Sequence, residues 1–120
     1  MIGKSFLMLI GAATLIVAPQ PAHAEGTAKE FSDMLRVGGQ PEFAAKIFIH
    51  ATASGLGWAN AELESRGEKP LFCEPKKMGM APEQTAMIFN KFLKEHPLLE
   101  NTPAGLVVLR SFQATFPCER

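Results

Sequence analysis

Pro41, Pro70, Pro75, Pro82, Pro97, Pro103 and Pro117 cut the chain into short windows, only one of them long. Proline is excluded from a helix interior and tolerated in its first turn. Each helix must therefore begin near one proline and finish before the next. The long window runs from Pro41 to Arg66. Within it Phe43, Ile47, His50 or Ala51, Ser54, Trp58 and Ala61 recur at spacings of three and four. That period predicts a single long helix with these residues on its buried stripe. Ala51, Gly55 and Ala59, four apart, predict a shallow groove where another backbone approaches. Gly67 is a good helix stop.

The remaining windows are also helical in period. Thr27 to Arg36 place Phe31, Met34 and Leu35 on one side, with Thr27 as cap and Glu30 three residues on. Val37-Gly38-Gly39-Gln40 ends that helix. Pro82 opens another, with Glu83 near its positive end and Ile88, Phe89, Phe92, Leu93 and His96 on its apolar side. Leu98 to Thr102 read as a connector. Pro103 opens the last helix, with Val108, Leu109, Phe112 and Phe116 inward, and Pro117 stops it. Val107-Val108 is the only β-branched pair after the N-terminal segment, so strand content is expected to be negligible. The expected fold class is all-α, a small bundle of about four helices.

Met1 to Lys4 carry one positive charge, Ser5 to Ala18 are almost wholly apolar, and Ala22-His23-Ala24 is a small-x-small site. This pattern is a secretory leader over residues 1–24, to be cleaved from a domain of residues 25–120. The apolar run is shorter than the roughly 20 residues of a membrane span, so no stable membrane anchor is expected. Removing Lys4 from a chain of balanced charge leaves −1, with no run of like charges. That excludes an electrostatic grip on nucleic acid or an anionic membrane.

An exported chain with two cysteines, Cys73 and Cys118, is expected to join them. Closing a loop of about 46 residues is worth roughly 4 kcal/mol in the chain-entropy account. A structural zinc site needs about four ligands, and His50 and His96 are far from both cysteines in sequence, so no metal or cofactor is expected.

Trp58 is expected at the centre of the bundle. Gly55 and Gly57 each cost about 1 kcal/mol relative to alanine in a helix, and their expected return is room for a neighbouring helix or a bulky side chain. Asn60 is a poor helix former unless its amide finds a partner. We expect it to bond the backbone of Leu71-Phe72-Cys73, so that this bond and the disulfide hold the loop.

Catalysis is not expected. Ser54 and His50 are four apart on one helix, but no orienting acid or oxyanion site accompanies them. Glu62 and Glu64, two apart, cannot face each other. His96 sits where a helix C-terminus favours positive charge. Glu68, Lys69, Lys76 and Lys77 surround Cys73 with charge. They read either as a solvated loop or as a docking surface for an acidic partner.

Gly57-Trp58-Ala59-Asn60-Ala61, Pro70-Leu71-Phe72-Cys73-x-Pro75, Glu83-Gln84 and Phe116-Pro117-Cys118, in this order and spacing, resemble the Rap/Tai immunity proteins of type VI secretion systems. The resemblance covers residues 40–118. It implies a small, periplasmic, α-helical domain with Cys73 joined to Cys118. It assigns Trp58 and Asn60 to the scaffold, and Gly55, Gly57, Phe72 and Pro117 are read as structural residues beside them. It implies a protein partner, a peptidoglycan amidase toxin blocked at its active site, and a possible homodimer. The architecture alone also invites comparison with periplasmic acid-stress chaperones, which are helical with one disulfide.

Overall fold

A computed structural model of the chain describes residues 25–75 and 79–119. The leader expected over residues 1–24 lies outside the described residues, as do Lys76 and Lys77. Among the described residues there are four α-helices: α1 (Ala28–Val37), α2 (Gly39–Ser65), α3 (Pro82–Glu95) and α4 (Ala104–Thr115). A 3₁₀ turn, Pro97–Leu99, follows α3. No strand occurs among them, and the fold is all-α with one disulfide.

The start of α1 is capped from both directions. The Glu30 N–H donates to Thr27 Oγ1 at 3.3 Å, and the Thr27 N–H donates to Glu30 Oε2 at 2.8 Å. Two more donors at this end, Ala28 and Lys29, find the carbonyls of Thr102 and Glu100, each at 2.9 Å. A helix leaves its first N–H groups without internal partners. Here the connector before α4 supplies them, which ties the first helix to the last. Gly38 and Gly39, with φ of 81° and 64°, adopt the left-handed conformation that glycine tolerates. They turn α1 back into α2, and the Phe31 and Phe48 rings stack at 4.3 Å across the junction. At the far end of α2 the Glu68 N–H donates to Leu63 O and the Gly67 N–H to Glu64 O, at 2.9 and 3.0 Å. Gly67 has φ of 71°, so this is a Schellman stop.

The core is built from Ile49 of α2, Phe89, Phe92 and Leu93 of α3, and Val107, Val108 and Phe112 of α4. Phe72, from the loop between α2 and α3, joins them at 1% exposure.

The face that α2 turns inward differs from the expected stripe. Ala45, Ile49, Ala53 and Asn60 are buried. Phe43 and Ile47 are exposed at 64% and 46%, and Trp58, expected at the centre, is 77% exposed. The reason is geometric. Asn60 faces the interior, and two residues of α-helix turn the side chain by about 200°. Trp58 therefore points outward. Periodicity could not choose between the faces because α2 carries no charged residue from Ile47 to Ala61 and is apolar or small nearly all round. Gly55 and Gly57 are corrected with it. A Cβ at either would meet nothing within 4 Å, so neither makes room for a helix or bulky side chain. Ala51 and Ala59 are likewise exposed, with no helix seated on them among the described residues.

Candidate functional site

The loop leaving α2 is fixed at three consecutive residues. The Leu71 N–H donates to Asn60 Oδ1 at 2.7 Å, and Asn60 Nδ2 donates to Phe72 O at 2.9 Å. One buried side-chain amide thus satisfies a donor and an acceptor of the loop, as expected from the sequence. The Phe72 ring meets Phe112 edge-on at 5.4 Å. Cys73 then forms the disulfide with Cys118, and its N–H donates to Phe116 O at 2.8 Å. Phe116 caps the end of α4, and exposed Pro117 lies between it and the bridge. From α4, Gln113 Nε2 also donates to Leu71 O, at 3.3 Å. Polar, apolar and covalent restraints converge on residues 71–73.

Immediately after this anchor, Glu74 borders a groove of about 400 Å³. The opposite wall is α2, with His50, Ser54, Gly57, Trp58 and Ala61. Glu74 and Met80 of the segment between α2 and α3, with Thr85 of α3, line the other side. The expected buried stripe of α2 is therefore, over its second half, the wall of an open groove. Gly57 contributes by what it lacks, since a Cβ there would stand in open space.

Polar groups are few and specific. Glu74 is the one charged residue among the described residues lining the groove. Partial burial raises its carboxyl above the ordinary value, because a desolvated carboxylate is disfavoured in its charged form. The Nδ1 atom of His50 is buried and has no hydrogen-bond partner among the described residues. Thr85 Oγ1 is engaged, donating to Pro82 O at 2.9 Å.

His50 and Ser54 both line the groove, but no hydrogen bond joins them among the described residues. His96 lies elsewhere, at the end of α3, stacked on Phe92 at 4.1 Å with Nδ1 2.9 Å from Phe92 O. Among the described residues no three of His, Cys, Asp and Glu gather as metal ligands. No helix among them is long and apolar enough to cross a membrane. Glu68 and Lys69 are exposed at the start of the loop. Sequence reading singled out neither the groove nor Glu74. The one local trace was Gly57 inside a long helix, which the sequence reading assigned to close packing instead.

A second depression, about 750 Å³, lies between α2 and α3 and is lined by Glu42, Lys46, Glu83 and Lys91 among others. Its best-defined contact is the Lys46–Glu42 pair at 2.6 Å, one turn apart on α2. Such pairs are common on helix surfaces and worth little.

No curated protein and no solved structure matches this chain. Residues 39–118 match the family of Rap1a immunity proteins. That span runs from the first residue of α2 to the second disulfide cysteine, and it contains Trp58, Asn60, the anchored loop and both walls of the groove. The chain belongs to the Rap1a immunity protein family.

Proposed function

We propose that this chain is an exported, periplasmic immunity protein that binds a peptidoglycan amidase delivered by type VI secretion and occludes its catalytic cleft. The observation that carries the reading is the anchored loop of a Rap1a family member, held at residues 71–73 by Asn60, Phe72 and the disulfide. An occluding inhibitor performs no chemistry. It needs a surface ordered before the encounter, because ordering costs incurred on binding are subtracted from affinity.

In this reading the loop from Glu68 to Gly79 meets the toxin, with Lys69, Lys76 and Lys77 facing acidic groups. The homodimer implied by the resemblance belongs to the same reading, and light scattering of the purified mature chain tests it. The main test is direct. The gene is co-expressed with a periplasmically targeted amidase effector encoded beside it, and cell lysis is followed. Protection by the exported chain, with a one-to-one complex in calorimetry, is expected. Lysis that proceeds unchanged overturns the reading. Charge reversal at Lys69, Lys76 and Lys77 should weaken the complex, and unchanged affinity removes the loop lysines from it.

A second reading, a periplasmic acid-stress chaperone, draws support from the exposed apolar side chains Phe43, Trp58, Met87 and Leu98. It requires apolar surface to grow with acid. ANS fluorescence at pH 7 and at about pH 3, where most carboxylates are protonated, separates the two. A strong rise with helix retained favours the chaperone.

A further inference from the structure

We propose that the groove between Trp58 and Glu74 is a receptor for one arginine side chain of the protein partner, with the guanidinium at the Glu74 carboxylate and against the Trp58 ring. The inference rests on the reading of this chain as a toxin-binding protein, and it names the chemistry that one part of the binding surface selects.

Four kinds of occupant can be weighed against the lining. An acidic side chain meets Glu74, the single charge among the described lining residues, and is repelled. A purely apolar side chain would seal off the Glu74 carboxylate and leave it unpaired. Covering polar groups without pairing them is costly. A metal ion finds only His50 and Glu74 as candidate ligands, and no group of three exists among the described residues. A long cation satisfies every wall. Its methylenes cover Gly57 and Ala61, and its charge meets Glu74.

Between the two long cations the lining favours arginine. Trp58 is highly exposed, and indole is the best aromatic partner for a cation over its face. A guanidinium is planar, weakly hydrated and able to stack on a ring while donating to a carboxylate, whereas an ammonium is a compact, strongly hydrated point charge. The glycine at position 57 agrees with this. It costs helix stability, no neighbour needs the space, and a side chain there would occupy the receptor. Glu74 also gains from the encounter, since the cation offsets the desolvation that disfavours its charged form.

The experiment needs no toxin. Trp58 is the only tryptophan, so its fluorescence reports on this groove alone. The mature chain is titrated with Nα-acetyl-arginine amide at constant ionic strength, with Nα-acetyl-glutamine amide and Nα-acetyl-leucine amide as comparisons. A saturable change with the arginine compound is expected, at least about fivefold tighter than with either comparison. Glu74→Gln should weaken it by a similar factor. Gly57→Leu should abolish it with the circular dichroism unchanged, because the new side chain grows into open space rather than into the core. No saturable response, equal response to the three compounds, or full affinity in folded Gly57→Leu overturns the proposal. Protection against an amidase is scored separately in the wild-type chain. Arginine binding without protection leaves the receptor standing and removes the immunity reading. Protection without arginine binding does the reverse.

Discussion

Asn60 and Phe72 are 12 residues apart in sequence and joined by a 2.9 Å hydrogen bond from the Asn60 amide to the Phe72 carbonyl. The same amide accepts from the Leu71 N–H. Residue 60 thus acts as a substitute strand partner for a loop that has none. A loop carbonyl drawn into a helical core must be paired, because an orphaned buried acceptor costs more than an ordinary hydrogen bond returns. The asparagine therefore permits Phe72 to be buried, and burying Phe72 places Cys73 beside the end of α4.

Asn60→Ala should cost about 2–3 kcal/mol, since it strands both a loop acceptor and a loop donor. Urea unfolding followed by circular dichroism measures it, with a lower midpoint and an unchanged slope. Asn60→Asp keeps the acceptor for Leu71 but sets a carboxylate against the Phe72 carbonyl, so it should rescue little. A loss below about 0.5 kcal/mol in both variants, the range of ordinary surface changes, would show that the loop is held by other means.

Removing the disulfide should cost up to about 4 kcal/mol on loop length alone. The more informative outcome is coupling. Asn60 and the Cys73–Cys118 bridge restrain adjacent parts of one loop, so their effects should not add. In a double-mutant cycle of Asn60→Ala with Cys73→Ser and Cys118→Ser, the interaction energy should exceed about 0.5 kcal/mol. Additive losses would mean that bridge and amide act independently. Alkylation of both thiols in exported, unreduced protein would mean that the bridge does not form there.

Much of the fold was legible in the sequence, because its signals are local. Thr27 and Glu30 announce a capping box, Gly67 a Schellman stop, and the prolines leave few alternatives for the helix boundaries. Asn60 was legible for a different reason, as a polar residue in a long apolar helix that needed a partner. The inward face of α2 was not legible from periodicity, since side chains on nearly every side of it are apolar or small. Yet Asn60 and Trp58 could not both face the core from positions two apart. A buried Asn60 already implied an exposed tryptophan. The donors of Ala28 and Lys29 paired with the connector carbonyls, and Glu74 brought to the same groove as His50, are products of tertiary placement. They leave no local trace in the sequence.

Because Gly55 stands in open space within α2, Gly55→Ala should stabilise the fold by up to about 1 kcal/mol, the helix-propensity difference. The same outward geometry predicts that acrylamide quenches Trp58 almost as readily in the native chain as in urea. A destabilised Gly55→Ala together with a shielded tryptophan would place another surface against this part of α2.

The last expectation concerns pH. Partial burial raises the Glu74 carboxyl above its ordinary value of 4.5. The folded chain therefore holds that proton more tightly than the unfolded chain does. By linkage, the neutral form's advantage is fully present below the unfolded value and is lost as pH rises through the folded value. At pH 7 the ionised Glu74 is a net cost to folding, and at pH 3 it is not. Glu74→Gln, neutral at every pH, should raise the urea midpoint at pH 7 relative to the wild-type chain. The difference should shrink towards zero at pH 3, where both side chains are uncharged. An equal difference at the two pH values would mean that the groove does not desolvate the carboxylate. A lower midpoint for the variant at pH 7 would mean that the ionised carboxylate is held by a favourable partner in the free protein, and the groove would then not be waiting for a cation.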